Sequence, residues 1–227
     1  MFKRPHHQAI AAVLQALDAD FLDEAVCFFG DGTAITLLLG EYRESVDIDF
    51  LCASQAGYRL LRNRIVEKVS TIFAQPIPQI GHLRRDHYGI RTRVAVGASV
   101  IKFEIIREAR IPLSGMRHPQ LGVPTLDPVS LYASKLLANA DRGVDTSTLS
   151  RDAIDLAMMI RAWGPIPPQA WELAGAAYGA HLVSAFQGSV TRLQDRSYLL
   201  GCLAAMAMDP QDAPPIAEAL ARQALPS

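Results

Sequence analysis

The sequence predicts an α+β fold, a mixed sheet flanked by helices over residues 1–115, followed by a helical domain over residues 116–227. Short apolar runs with period-two alternation fall between Val26 and Ile106, as strands with one buried face require. Two of these runs are separated by only Gly97-Ala98, the spacing of a tight hairpin. Beyond a connector rich in Gly and Pro from Pro112 to Pro124, the apolar pattern turns helical to the end.

A chain of 227 residues, 50% hydrophobic and 20% charged, has the composition of a globular protein with one well-buried domain or two small ones. Lys and Arg total 22 against 23 Asp and Glu, a net charge of −1, so no global field draws the chain to nucleic acid or to an acidic membrane. Any polyanion site must be local. The first twenty residues carry Lys3, Arg4, two histidines, Asp18 and Asp20, which is no secretory signal, and no apolar run spans a bilayer. A cytoplasmic protein with no membrane partner is expected. Cys27, Cys52 and Cys202, odd in number and set among apolar neighbours, read as buried thiols.

Pro5 opens a helix in which Ile10, Val13, Leu14 and Leu17 share a face, and His6 and His7 at its start read as surface residues. Val26 to Phe29 is a strand. It stops at Gly30-Asp31-Gly32, a turn that brings backbone N–H groups close to a ligand, and a short helix from Thr33 ends near Gly40. In the strand Val46-Asp47-Ile48-Asp49-Phe50-Leu51, Val46, Ile48 and Phe50 face one way and Asp47 and Asp49 the other. Two like charges side by side repel and lose hydration together, and a divalent cation such as Mg²⁺ or Mn²⁺ removes the difficulty. The glycine turn before a helix offers N–H groups and the positive end of a dipole to an anion. Metal carboxylates beside a phosphate cradle suggest a nucleoside triphosphate (NTP). Two solvated aspartates at a strand end are the alternative reading.

Ala56 to Phe73 shows one long helical periodicity, with Arg59, Arg62, Arg64 and Lys68 as a solvated face or a guide for RNA. The segment Arg84 to Arg93, with Tyr88 among its cations, either binds a base or an RNA backbone or forms the charged wet face of an edge strand. The hairpin follows, from Ile90 to Val96 and Ser99 to Ile106. Glu104 stands alone on the face opposite Ile101, Phe103 and Ile105. Beside the Asp47/Asp49 strand it becomes a third metal ligand; otherwise it pairs with Lys102 or a neighbouring arginine. Asp127-Pro128 starts a helix on which Lys135, Asn139 and Arg142 share a face, and Lys135 must reach solvent or an anion. Asp152 and Asp155 lie one turn apart on the next helix, with Ser150 as N-cap, a placement that the helix dipole alone would favour. After the break at Trp163 to Pro168, Gln169–Ala180, Gln194–Met208 and Ile216–Ala224 read as packed helices, with Tyr198, Leu199, Leu203 and Met206 as core.

In order, F-F-G-D-G-T-A-I…R-E-S-V-D-I-D-F, V-I-K-F-E-I-I-R-E, L-D-P-V-S-L-Y-A-S-K-L-L-A-N-A-D-R-G and R-D-A-I-D-L resemble the minimal nucleotidyltransferases of the AbiEii/AbiGii toxin family, from about Val26 to Ile160. The resemblance implies a nucleotidyltransferase-type sheet with an active site in the cleft between it and the helical domain. Gly32 and Thr33, within the Gly30-Asp31-Gly32-Thr33 nucleotide-binding turn, match the phosphate turn. Asp47 and Asp49 match the metal pair, and Glu104 the third acidic position. Lys135 matches the triphosphate-binding lysine and Asp152 the carboxylate of the helical half, with Asp155 nearby. Asp31 stands where members commonly carry glycine, so its charge repels the triphosphate unless it hydrogen-bonds within the turn or helps hold a metal. The implied activity is metal-dependent transfer of a nucleoside monophosphate (NMP) to an acceptor hydroxyl. The resemblance suggests a tRNA 3′ end as acceptor and an antitoxin partner. Transfer to a protein or small molecule, nuclease-like chemistry, and a non-catalytic nucleotide- or partner-binding module are the competing readings.

Overall fold

The computed structural model describes residues 2–226. They form two compact units, one of residues up to Leu37 with Ser45–Asp127, the other of Leu38–Glu44 with the residues from Pro128 onward.

In the first unit, helix α1 (Pro5–Ala16) buries Ile10, Val13 and Leu14, and α2 (Ala19–Glu24) is capped by Asp18, whose side chain accepts from the Phe21 N–H at 3.1 Å. Strand β1 (Cys27–Phe29), helix α3 (Asp31–Leu38), strand β2 (Asp47–Cys52) and helix α4 (Gln55–Arg64) follow. Next come strands β3 (Gln79–Arg85), β4 (Gly89–Val96), β5 (Ser99–Arg107), β6 (Gly115–Arg117) and β7 (Pro124–Leu126). All seven strands join one mixed sheet in the order β3-β4-β5-β2-β1-β7-β6. The β4–β5 hairpin turns at Gly97-Ala98, with Val96 opposite Ser99 and Gly97 at φ +57°. β2 lies parallel to β5, with Ile48 opposite Phe103 and Asp49 opposite Glu104. Phe29, Phe50 and Phe103 are fully buried and stack at ring separations of 5.6 and 5.9 Å, which gives the sheet its apolar face.

Four expectations change here. Pro112–Pro124 is more than a connector: β7 pairs with β1 (Phe29 opposite Thr125) and β6 with β7, so the first unit extends to Asp127. Three-residue strands are too short to show alternation. His7 is buried, and its Nε2 accepts from the Ser45 N–H at 3.2 Å, while His6 Nε2 bonds the Val46 carbonyl at 2.9 Å. The periodicity from Ala56 to Phe73 does not form one helix. Arg64 Nε donates to the Thr71 carbonyl at 2.8 Å and the Thr71 hydroxyl to the Arg64 carbonyl at 2.9 Å, so the chain doubles back and Val69–Ile72 form a separate 3₁₀ turn. Val46, expected to share the buried face, is exposed just before β2 begins.

The second unit holds α5 (Pro128–Arg142), α6 (Arg151–Trp163), α7 (Pro168–Tyr178), α8 (His181–Leu193), α9 (Arg196–Ala205) and α10 (Ala213–Ala221). The sequence pattern marks no helix at α8, whose Phe186 packs edge-on against Trp171 at 5.3 Å. Leu199, Leu203 and Met206 are core, as expected, while Tyr198 is half-buried. Ser150 occupies the N-cap position of α6 without a capping side-chain bond; its hydroxyl bonds that of Tyr198 at 3.0 Å. The three cysteines are buried and free. Among the described residues no helix is long and apolar enough to cross a membrane.

Gly57 of α4 lies so close to the Ala25 carbonyl that an added Cβ would sit 1.8 Å from its oxygen. Gly57→Ala must push α4 off the backbone before β1, and overpacking of this kind costs about 1–3 kcal/mol. Chemical denaturation should show a loss in that range. Unchanged stability would mean that α4 slides freely over this contact.

Candidate active site

The acidic residues of the first unit converge because of strand register. Asp47 and Asp49 alternate with buried Ile48 and Phe50 on β2, and the parallel pairing sets Asp47 opposite Lys102 and Asp49 opposite Glu104 on β5. All four side chains therefore leave the same face, away from the phenylalanine stack. The turn before α3 is tied to this row, since the Gly30 N–H donates to the Asp49 carbonyl at 3.0 Å. A Cβ on Gly30 would displace the ends of two leucine side chains, meeting Leu51 Cδ1 at 2.5 Å and Leu126 Cδ1 at 2.7 Å. Asp31 begins α3 with φ +56°, a left-handed conformation that suits glycine and that asparagine or aspartate tolerates best among the others. Gly32 and Thr33 are buried in the first turn, and Thr33 Oγ1 bonds Ser45 Oγ at 2.7 Å.

Electrostatics make Asp49 the focus of the row. Burial pushes its carboxyl up from 3.8 to about 7, reinforced by the negative charges of Asp31, Glu104 and Asp47 in that order and opposed by Lys102. Asp31 is thus part of the acidic group. Glu104 is only 8% exposed, and its two oxygens are taken by Arg91 Nε at 2.9 Å and Lys102 Nζ at 2.5 Å. The bonds to Lys102 and an arginine foreseen for Glu104 are therefore present, on the same face as Asp47 and Asp49. Among the described residues no three His, Cys, Asp or Glu side chains stand arranged around one ion. Asp47 and Asp49, on one face of β2, fit a Mg²⁺ or Mn²⁺ ion as a pair, since a cation would offset both the burial and the neighbouring negative charge that raise the Asp49 carboxyl, and such ions keep several water ligands. Glu104, the expected third ligand, has one oxygen bonded by Arg91 and the other by Lys102.

In the second unit Lys135 finds its anion inside the protein. At 1% exposure its Nζ lies 2.9 Å from Asp152 Oδ1 and 3.1 Å from Asp155 Oδ2. Arg142 grips Asp152 through two bonds of 2.6 and 2.9 Å, and Arg43 grips Asp155 through two of 2.7 and 2.9 Å. The Tyr42 hydroxyl donates to Asp155 at 2.5 Å. Burial alone would raise the Asp152 carboxyl, but Lys135 and Arg142 hold it well below the usual carboxylate range. Burial would likewise lower the Arg43 guanidinium, yet Asp155 and Tyr42 raise it. Lys135, expected to reach solvent or an anion, thus meets Asp152 and Asp155 in a compensated core. The Arg142 side chain, 34% exposed, is its most accessible cation. Sequence reasoning missed Tyr42 and Arg43, which lie in the segment between α3 and β2 that belongs to the helical unit. No periodicity marks that segment, and the Glu44 N–H bond to the Met206 carbonyl at 3.0 Å is a contact across the chain.

Comparison with known proteins bears on the whole chain. The model of the family described as "Nucleotidyl transferase AbiEii toxin, Type IV TA system" matches residues 12–222. No curated protein sequence matches significantly. The fold is similar to that of a candidate nucleotidyltransferase from H. pylori, at 20% identity and TM-score 0.59, covering 94% of this chain and 93% of that one. It is also similar to JHP933 from Helicobacter pylori, at 16% identity and TM-score 0.58 over 97% and 92% of the two chains. An antigenic nucleotidyltransferase-like protein from Paracoccidioides brasiliensis matches at 15% identity and TM-score 0.51 over 92% and 97%.

Two outcomes follow from the charges. With the folded Asp49 carboxyl at about 7 against an ordinary 3.8, the unfolded chain sheds this proton first, so stability falls as pH rises from about 4 to 7 and then levels. Asp49→Asn should therefore melt higher than the parent above pH 7, by a few degrees, with the two converging toward pH 4. Mg²⁺ should raise the parent's midpoint at pH 8 and not the variant's. A pH-independent difference between the two would dismiss the raised carboxyl. Lys135→Met leaves two buried carboxylates short of a cation and should lose about 3–5 kcal/mol at neutral pH. Because the Asp152 carboxyl is depressed, its stabilisation is present above the ordinary carboxylate range and disappears as pH falls below it. The gap between Lys135→Met and the parent should accordingly narrow below about pH 4 in acid titrations of stability.

Proposed function

The chain belongs to the AbiEii nucleotidyl transferase toxin family of type IV toxin–antitoxin systems, and from that premise we propose that it transfers NMP from an NTP to an acceptor hydroxyl, a tRNA 3′ end being the acceptor that the family suggests. In this reading the hydroxyl oxygen forms a bond to the α-phosphorus, the bond from that phosphorus to the bridging β-oxygen breaks, pyrophosphate leaves, and the hydroxyl proton passes to solvent. The observation that carries it is the row of Asp31, Asp47, Asp49 and Glu104 beside the start of α3, where burial, and after it the charges of the other three acids, lifts the Asp49 carboxyl to about 7. Such a row is unfavourable for folding and favourable for binding a cation with the phosphates it carries.

Asp47 and Asp49 would hold a Mg²⁺ or Mn²⁺ ion. When bound, that ion would screen the triphosphate from the carboxylates and withdraw charge from the α-phosphorus. The backbone N–H groups of Gly32 and Thr33 at the start of α3 would donate to the oxygens of the outer phosphates, with the Thr33 hydroxyl steered by Ser45. Glu104 fixes Lys102 and Arg91 beside the acidic row. Lys102 then counters the charge that Asp31 adds next to a triphosphate. Lys135, Asp152 and Asp155 keep the helical unit in shape, and Arg142 presents their positive charge to solvent. As the toxin of such a system, the protein would work against a cognate antitoxin.

Labelled NTPs incubated with total RNA and, separately, with a protein extract test the proposal. Label should enter the RNA fraction in the presence of Mg²⁺, and Asp49→Asn should cut incorporation by on the order of 10²-fold or more. Label in the protein fraction alone would replace the acceptor. Mg²⁺-dependent NTP binding without incorporation anywhere would make the protein a nucleotide-binding module, the outcome that Asp31 would explain.

A further inference from the structure

Segments far apart in sequence build a second cationic feature in the first unit. A cavity of about 400 Å³ is lined by Gln55, Tyr58, Arg59, Arg62 and Asn63 of α4, Arg85 of β3, His87 of the following turn and Arg107 at the end of β5. Its lining includes four arginines and no carboxylate. The nearby acids are engaged elsewhere: Asp86 pairs with Arg84 and Arg91 and accepts the Tyr88 and Gly89 N–H groups, and Glu108 pairs with Arg110. Arg85 is pinned at the wall, its Nη1 donating to the carbonyls of Arg62 at 2.7 Å and Ile65 at 3.0 Å. Arg62 Nε is buried with no hydrogen-bond partner. A buried donor left without an acceptor is costly, and bringing like charges together adds to that cost. Tyr88, beside His87 in the β3–β4 turn, is 76% exposed.

We propose that this arginine pocket binds backbone phosphates of an RNA strand, with Tyr88 as a stacking platform for a neighbouring base. Guanidinium groups match phosphate oxygens in pairs, and aromatic faces accept any base. The ligand is not the NTP of the proposed reaction. Arg107 lies three residues beyond Glu104 on β5, so alternation sends it to the opposite face of the sheet, about 10 Å further along the strand. A mononucleotide held at the acidic row does not bridge the two faces. A polymer does. The inference rests on the transferase reading for its choice of an acceptor, and the pocket's own binding can be measured without catalysis.

The test uses the full chain and a fluorescently labelled single-stranded RNA, followed by anisotropy over a salt series without NTP. The double variant Arg59→Ala/Arg107→Ala should bind at least about tenfold more weakly, and the slope of log affinity against log salt should shrink by about 1.4, roughly 0.7 for each lost phosphate contact. Arg59→Lys/Arg107→Lys should recover most of the slope, which a merely structural defect would not. Tyr88→Ala should weaken binding and leave the slope unchanged. Mg²⁺–NTP binding by the double-alanine variant, followed by thermal shift, should match the parent. RNA affinity and slope unchanged in that variant overturn the proposal, as does a loss confined to NTP binding or an absence of RNA binding by the parent. Asp49→Asn separates the two readings: it should abolish transfer and bind RNA like the parent. If the parent transfers to no acceptor while the arginine variants still lose RNA, the transferase reading fails and the pocket stands. Transfer unaffected by the arginine variants, with unchanged RNA affinity, gives the reverse.

Discussion

The parallel pairing of β2 with β5 is the constraint on which the first unit depends. In that register Phe50 and Ile48 fall beside Ile105 and Phe103 on one face, and Asp47 and Asp49 beside Lys102 and Glu104 on the other. A slip by one residue would send the acids into the phenylalanine stack and the aromatic rings into water. Burial of Phe29, Phe50 and Phe103 therefore holds the register, and the register assembles the acidic row. The glycine turn is fastened to the same strand through the Gly30 N–H bond to Asp49, so the start of α3 keeps its place beside the carboxylates.

The two units treat buried charge in opposite ways. In the helical unit the two buried carboxylates each meet more than one donor: Asp152 has Lys135 and Arg142, and Asp155 has Lys135, Arg43 and Tyr42. The depressed Asp152 carboxyl is the signature of that satisfaction. In the sheet unit Asp49 is buried beside three other acids, and its carboxyl rises, through burial first and their charges second. Full compensation suits a structural core, whereas a concentrated charge deficit suits a place where a cation and its anionic cargo complete the balance. This contrast separates residues that a sequence motif places together under one heading.

Much of the candidate site is legible in the residues themselves. The alternation V-D-I-D-F orients Asp47 and Asp49, the lone acid in V-I-K-F-E-I-I orients Glu104, and Gly97-Ala98 announces the hairpin that sets β5 in the sheet. The i, i+4, i+7 spacing of Lys135, Asn139 and Arg142 indicates their shared face. Other features leave no local trace. Three-residue β6 and β7 pair only because β1 offers an edge, His7 is buried by the segment at Ser45, and α4 stops where Thr71 folds back onto Arg64. The four arginines of the pocket come from three elements, and no stretch of sequence contains them together.

The sequence by itself determined the direction in which each acidic side chain leaves its strand, the glycine-bounded turn before α3 and the membership of the family, because side-chain periodicity and backbone freedom are local properties of a polypeptide. Only the tertiary structure decided which charges are neutralised. That Lys135 is spent on Asp152 and Asp155, that Arg91 joins Lys102 in holding Glu104, and that Asp31 presses on Asp49 all follow from distances between residues 13 to 20 positions apart. Electrostatic energy depends on separation and burial, and neither is written in the order of residues along a chain.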